Sequence, residues 1–299
     1  MRRAPGHGGR RPVLSMILLI LVLATGASAR ETGTGRETAV IGDMSIAVFT
    51  YRPAGCAPAA LLFVFHGADR NAAGYRDRAR PLASRACLVV LAPLFDRDRF
   101  PNWRYHRGGI VHKDRVLPRA QWAVTLVAGL VDWARRREDR HDLPYYLFGH
   151  SAGGQFLSRV AAYTRPDAAR IVIANPSSHV APSIEEAAPY GMGGLSEDEK
   201  TAEAGLRQYL SLPVTVYLGE NDIGHRLLGN HPAARRQGAN RFERGQHVYR
   251  AALALAKRKG WPFNWRLVTA PGVGHSSRRM LAPSQAMQAL APGGGATTR

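Results

Sequence analysis

Residues 144–154 read Pro144-Tyr145-Tyr146-Leu147-Phe148-Gly149-His150-Ser151-Ala152-Gly153-Gly154. The first five are an apolar run, the pattern of a parallel strand buried on both faces. Residues 151–163 carry a helical pattern. A serine on so sharp a strand-to-helix turn has a strained backbone and an exposed hydroxyl. Gly149 and Gly153 must be small, because side chains two positions either side of Ser151 would collide. The helix start also offers unpaired N–H groups where negative charge develops in acyl transfer. Ser151 is therefore the candidate nucleophile, with Gly149, His150 and Gly153 forming its turn. The competing reading is a glycine-rich turn with an ordinary capping serine, and the strand-before, helix-after context disfavours it.

Working outward, the same alternation repeats. Residues 39–51 read as two short strands around Gly42-Asp43. Apolar runs at 59–65, 88–92, 170–174, 213–218 and 265–269 suit further buried strands. Helical spacing fills 71–86, 119–137, 241–258 and 277–290, with Pro81 expected to kink the first. Strand and helix in alternation predict an α/β fold with a mostly parallel central sheet and right-handed crossovers. Residues 176–212, rich in Pro, Gly and acidic residues, are expected to form a small lid insertion. Residues 291–299 read as a glycine-rich tail without a packing pattern.

A serine at neutral pH needs a base, and the base needs an orienting carboxylate. Leu218-Gly219-Glu220-Asn221-Asp222 and Pro271-Gly272-Val273-Gly274-His275 each follow an apolar strand. Strand C-termini are where open α/β sheets place their sites. Asp222 is the expected acid, with Glu220 as its rival, and His275 the expected base. The N–H of Ala152 should supply one oxyanion donor. The loop at His66-Gly67-Ala68 should supply the other, with the N–H of Ala68 favoured. No clear third and fourth ligands accompany His225 and His231, so no metal site is expected.

These pieces, in this order, resemble the α/β-hydrolase superfamily over roughly residues 38–290. Phe65-His66-Gly67-Ala68-Asp69-Arg70-Asn71 and residues 148–154 resemble secreted serine esterases related to poly(3-hydroxybutyrate) depolymerases and feruloyl esterases. The resemblance implies the α/β-hydrolase fold and a serine carboxylic-ester hydrolase without a cofactor. Ala68 stands where many such relatives carry cysteine. The expected substrate is a small-molecule or oligomeric ester. The same triad acting as a peptidase or thioesterase is one alternative, and a catalytically inactive polymer- or envelope-binding protein is another. In residues 93–118, Phe95, Phe100, Trp103 and Tyr105 either line an acyl or aryl pocket or pin the loop to the domain.

The termini and charge add context. Residues 1–12 are basic, residues 13–24 apolar, and Ala27-Ser28-Ala29 offers a small-residue cleavage pattern. The apolar stretch of about 12 residues is short against the ~20 needed to span a bilayer. A signal peptide over residues 1–29, export to the periplasm or beyond, and no stable membrane insertion after processing are expected. Arg10-Arg11 leaves the export route open. Export permits a disulfide between Cys56 and Cys87, the only cysteines, although two separate buried thiols fit equally. The formal net charge is +19, nearly all from arginine. The arginines form no single block and no nucleic-acid motif accompanies them, so no nucleic-acid partner is expected. The sequence sets no oligomeric state.

Overall fold

The computed structural model describes residues 31–291 other than residue 197, together with Met1. The expected signal peptide and nearly all of the expected tail lie outside the described residues. Every element below belongs to the unit that begins at Thr32.

The opening hairpin joins β1 (Gly33–Ile41) and β2 (Met44–Arg52). Gly42 occupies its tight turn with φ +59°. Then follow β3 (Ala60–Phe65), α1 (Ala72–Ala86), β4 (Leu88–Pro93) and a small hairpin, β5 (Val111–His112) with β6 (Arg115–Val116). The rest of the chain runs α2 (Leu126–Glu138), β7 (Tyr145–His150), α3 (Ala152–Tyr163), β8 (Arg170–Ala174) and α4 (Glu199–Ser211). It closes with β9 (Val214–Gly219), α5 (Pro232–Arg236), α6 (Arg241–Lys259), β10 (Arg266–Ala270), α7 (Ser277–Met280) and α8 (Pro283–Leu290). Eight strands form one sheet in the order β1-β2-β4-β3-β7-β8-β9-β10. β1 and β2 pair antiparallel, as do β2 and β4, and every pairing from β4 to β10 is parallel. This is the α/β-hydrolase fold.

The sheet is buried on both faces. In β3, Leu61, Phe63 and Phe65 enter one core with α2, α3, α4 and α6. Ala60, Leu62 and Val64 enter the other with α1, α7 and α8. That two-residue alternation with all positions apolar explains why the strands read as unbroken hydrophobic runs.

Three local departures from the sequence pattern have physical causes. The helix expected over 119–137 becomes two 3-10 turns and then α2, because Trp122 is extended (φ −69°, ψ 127°) and its indole donates to the Leu117 carbonyl. The helix expected over 277–290 breaks before Pro283, whose ring disfavours a helical Ala282. In the segment expected as a lid, residues 199–211 are the crossover helix α4, which packs on α3. The remaining part is tied down: buried Arg159 donates to the carbonyls of Ser178 and Pro189, and the Tyr163 hydroxyl to that of Gly191. Pro81 lies inside α1 without ending it.

Cys56 and Cys87 form a disulfide. Cys87 caps α1 in a left-handed conformation, so the bridge ties the loop after β2 to the end of α1. Among the described residues, no helix is long and apolar enough to cross a membrane.

Candidate active site

After β3 the chain builds β4 on one side, then returns to lay β7 on the other. The strand order therefore reverses between β3 and β7, and open α/β sheets place their crevice at that point, beyond the strand C-termini. The loop after β3 and the turn after β7 meet there.

Ser151 holds φ +57°, ψ −115°, a left-handed conformation rare for a residue with a β-carbon. The glycines around it are required sterically. A β-carbon on Gly149 would lie 2.3 Å from the Gly153 carbonyl oxygen, and one on Gly153 would lie 2.1 Å from that of Phe65. The latter contact fits the start of α3 directly against the end of β3. A β-carbon on Gly67 would sit 3.7 Å from that of Ser151, so the His66–Ala68 loop lies against the serine. Ala152 is the first residue of α3, and first-turn N–H groups have no partner within their helix.

Ser151 Oγ and His275 Nε2 share a 3.0 Å hydrogen bond. His275 Nδ1 lies 2.6 Å from Asp222 Oδ2. An ionised carboxylate only accepts, so Nδ1 carries the proton and Nε2 is free to accept from the serine. Asp222 is 2% exposed, whereas the His275 side chain is partly open to solvent. Glu220 is turned away: its carboxylate accepts from the Thr269 hydroxyl of β10 at 2.8 Å.

The loops carrying Asp222 and His275 are laced together. Asn221 N–H donates to the Val273 carbonyl at 2.9 Å, and Asp222 N–H to that of Gly219 at 3.0 Å. Asn175, at the end of β8 with φ +45°, accepts from Gly219 N–H at 2.8 Å and donates to the Gly274 carbonyl at 3.5 Å. One side chain thereby spans three strand ends.

Behind the site lies a second tier that the sequence reading did not find. Arg241, at the start of α6, is buried and places Nη1 3.5 Å from Asp222 Oδ1. It also donates to the carbonyls of Gly224 and Arg226, holding the acid loop closed. Burial lowers its pKa and the Asp222 charge opposes that shift. The Tyr75 hydroxyl bonds His150 Nδ1 at 2.9 Å, and the His150 ring lies 4.7 Å from that of His275. Burial first, then the neighbouring His275, Arg241 and Arg78, hold His150 well below the usual imidazole range, so it is neutral. Burial pushes the Tyr75 hydroxyl up to about 12.

His66 Nε2 accepts from Phe95 N–H at 3.1 Å, which leaves its Nδ1 to donate to the Gly67 carbonyl. Burial brings its pKa down to about 4 and keeps that tautomer neutral. The buried guanidinium of Arg70 donates to the Phe95 and Phe100 carbonyls and lies over the Tyr105 ring. Phe95, Phe100 and Tyr105 are fully buried, so these aromatics pin the loop rather than line an open pocket. Trp103 stacks on His112. Asn175 carried a usable signal, an asparagine just past a buried run. Arg241 carried none, since an arginine opening a helix normally reads as solvated.

Among the described residues no group of three or more His, Cys, Asp or Glu side chains is arranged to hold a metal ion. Solved structures similar to this chain include two above 30% identity. LpqC, poly(3-hydroxybutyrate) depolymerase from Bordetella parapertussis, is 32% identical, with 86% of this chain and 90% of that one covered and a TM-score of 0.78. Poly(aspartic acid) hydrolase-1 from Sphingomonas sp. KT-1 is 31% identical, covering 86% and 99%, also at TM-score 0.78. An S-formylglutathione hydrolase from Agrobacterium tumefaciens shares the fold at 16% identity, covering 89% and 98%, with a TM-score of 0.53. No protein-family model and no curated protein matches the chain.

Proposed function

This chain belongs to the α/β-hydrolase family that includes poly(3-hydroxybutyrate) depolymerase LpqC, and from that premise we propose that it cleaves carboxylic esters through an acyl-enzyme on Ser151. The observation that carries the reading is the continuous hydrogen-bonded line from Ser151 Oγ through His275 to Asp222.

In the proposed cycle, His275 Nε2 takes the Ser151 proton as Oγ attacks the ester carbonyl. The imidazolium that forms is balanced by Asp222 at Nδ1. The N–H groups of Ala152 and Ala68 hold the oxyanion, preset by the helix start and by the turn at Gly67. His275 then protonates the departing alcohol. Water attacks the acyl carbonyl as His275 takes its proton, and His275 then returns that proton to Ser151 Oγ as the acid product leaves. Every step is an acyl or proton transfer among these residues, and no cofactor is invoked.

We read residues 1–29 as a signal peptide and place the mature protein in the periplasm or outside the cell. The disulfide supports an oxidising compartment. An amide-cleaving version of the same triad is a second reading, favoured by the 31% identity to an enzyme named for poly(aspartic acid) hydrolysis.

The test is labelling with a fluorophosphonate probe, followed by turnover of an ester panel of varied acyl length and matched amides. Ser151 is expected to carry the label. Ser151→Ala should lower ester turnover by at least about 10³-fold while leaving the far-UV circular dichroism unchanged, because only Oγ is lost. Labelling elsewhere, or full turnover by the variant, overturns the reading.

A further inference from the structure

Two tyrosine hydroxyls meet the loop that carries Ala68, and the proposed cycle uses neither. Tyr105, on the long loop after β4, is fully buried. Its hydroxyl donates to the His66 carbonyl at 2.8 Å. Its ring is fixed by the stacked Phe95 ring at 5.0 Å and by the Arg70 guanidinium at 4.5 Å. Tyr75, in α1, is buried as well. A β-carbon on Gly67 would lie 2.7 Å from the Tyr75 hydroxyl oxygen, so only glycine lets the loop pass this close. The Gly67 N–H also acts on that oxygen. The same hydroxyl bonds His150 Nδ1 at 2.9 Å, and His150 directly precedes Ser151 in the nucleophile's turn.

A trans peptide is planar, so its C=O and N–H point in opposite directions, and fixing one end aims the other. In the His66–Gly67 peptide, Tyr105 holds the carbonyl end and Tyr75 meets the N–H end. In the next peptide, the Gly67 carbonyl accepts from His66 Nδ1 at 3.0 Å and from Arg70 N–H at 3.2 Å. The Ala68 N–H, at the other end of that plane, therefore points away from both donors. Both planes are set before any substrate arrives. A preset donor stabilises a developing oxyanion without reorganising during the reaction.

We propose that Tyr75 and Tyr105 are positioning residues that grip the His66–Gly67 peptide between their hydroxyls and so aim the Ala68 N–H at the oxyanion. This role rests on the ester-hydrolase reading above. Through His150, Tyr75 also sets the oxyanion loop and the nucleophile's turn at one fixed spacing. Both tyrosines act through the loop, and neither hydroxyl takes part in a bond change.

Tyr75→Phe and Tyr105→Phe remove the hydroxyls and keep the rings. Tyr217→Phe is the control, because Tyr217 is fully buried and its hydroxyl has no hydrogen-bond partner among the described residues. Acylation and deacylation both pass through an oxyanion. On 4-nitrophenyl butyrate each test variant should therefore lose at least about tenfold in kcat, with KM within about twofold of wild type. A fluorophosphonate probe gives a second readout. Its phosphoryl oxygen takes the oxyanion's place as Ser151 Oγ bonds phosphorus, fluoride leaves and His275 takes the serine proton. The labelling rate constant should fall by a similar factor, with far-UV circular dichroism unchanged and Tyr217→Phe normal in both assays. Normal kcat and labelling rate in either test variant, a loss confined to KM, or an equal loss in Tyr217→Phe overturns the proposal. If one test variant fails to fold, the other decides; if both fail, the hydroxyls hold the fold rather than the oxyanion loop, and the proposal falls. A wild-type protein that labels at Ser151 but turns over no ester overturns the ester-hydrolase reading alone, and the labelling rates then decide the tyrosines' role.

Discussion

A serine held at φ +57° and an aspartate enclosed at 2% exposure are each unfavourable alone, and each is fixed by its neighbours. The turn keeps Ser151 because Gly149 and Gly153 admit the backbones that crowd it. Asp222 is held in its enclosure by His275 Nδ1–H, its own loop and the Arg241 guanidinium. Glu220, two residues earlier, spends its carboxylate on Thr269. Asp222→Asn is therefore expected to lower kcat by several orders of magnitude, since an amide favours the wrong imidazole tautomer, a change that costs about 10⁴ in the serine-protease template. Glu220→Gln should cost less than about tenfold, because the amide oxygen still accepts from Thr269. Both variants, assayed at saturating substrate on one activated ester, decide the matter: a crippled Glu220→Gln beside a near-normal Asp222→Asn would move the acid to Glu220. At this scale the sequence was most informative where chemistry demands a residue type at a strand end, as for Ser151, Asp222 and His275. It was silent on Arg241 and Tyr75, because their positions depend on packing between elements far apart in the chain.

Elements were legible where a single period ran unbroken. The strand at 170–174 coincides with β8, and α1, α3 and α6 begin within one residue of their expected starts. The hairpin β1–β2 begins six residues before its first apolar signal, since the solvent-facing half of β1 is polar and an edge strand buries only one side. α4 was missed outright. Its residues 199–205 are mostly charged or small, and only its C-terminal half supplies buried side chains, Leu206, Tyr209 and Leu210. The pairing of Cys56 with Cys87 could not be settled from spacing, because it depends on β3 and β4 being parallel neighbours, which sets the loop before β3 beside the end of α1. The bridge spans a sequence separation of 31, and the chain-entropy model gives such a loop about 3–4 kcal/mol. Cys56→Ser/Cys87→Ser should lower the denaturation free energy by about that amount in urea titrations, with kcat close to normal, because α1 ends at the opposite end of the sheet from Ser151. An unchanged midpoint would mean that the bridge does not constrain the unfolded chain.

Over the whole molecule, burial has set the charge state of several imidazoles together. Burial holds His66 down to about 4, and His106 and His179 to about 3, with His150 well below its ordinary value. An unfolded chain takes up protons on all four as pH falls through about 6.5, while the folded one resists until far lower. The unfolded state thus binds more protons across that window, so stability falls as pH falls from about 6.5 towards 4. It levels off only below the folded-state values. Each imidazole contributes a slope of about 1.4 kcal/mol per pH unit. Melting temperatures measured from pH 8 to 4.5 should be flat at first and then drop steeply, and His179→Gln should flatten the drop; a flat profile across the range would contradict the assignment. The strand order has a different consequence. Ser151 and His275 are 124 residues apart in sequence, and the base arrives only after the last strand, β10, has been added. A chain ending at residue 264 would hold β1–β9, the proposed nucleophile and the proposed acid, yet lack the proposed base. Under the proposed mechanism, any form clipped between residues 222 and 275 keeps Ser151 and Asp222 yet lacks the base that would activate the serine.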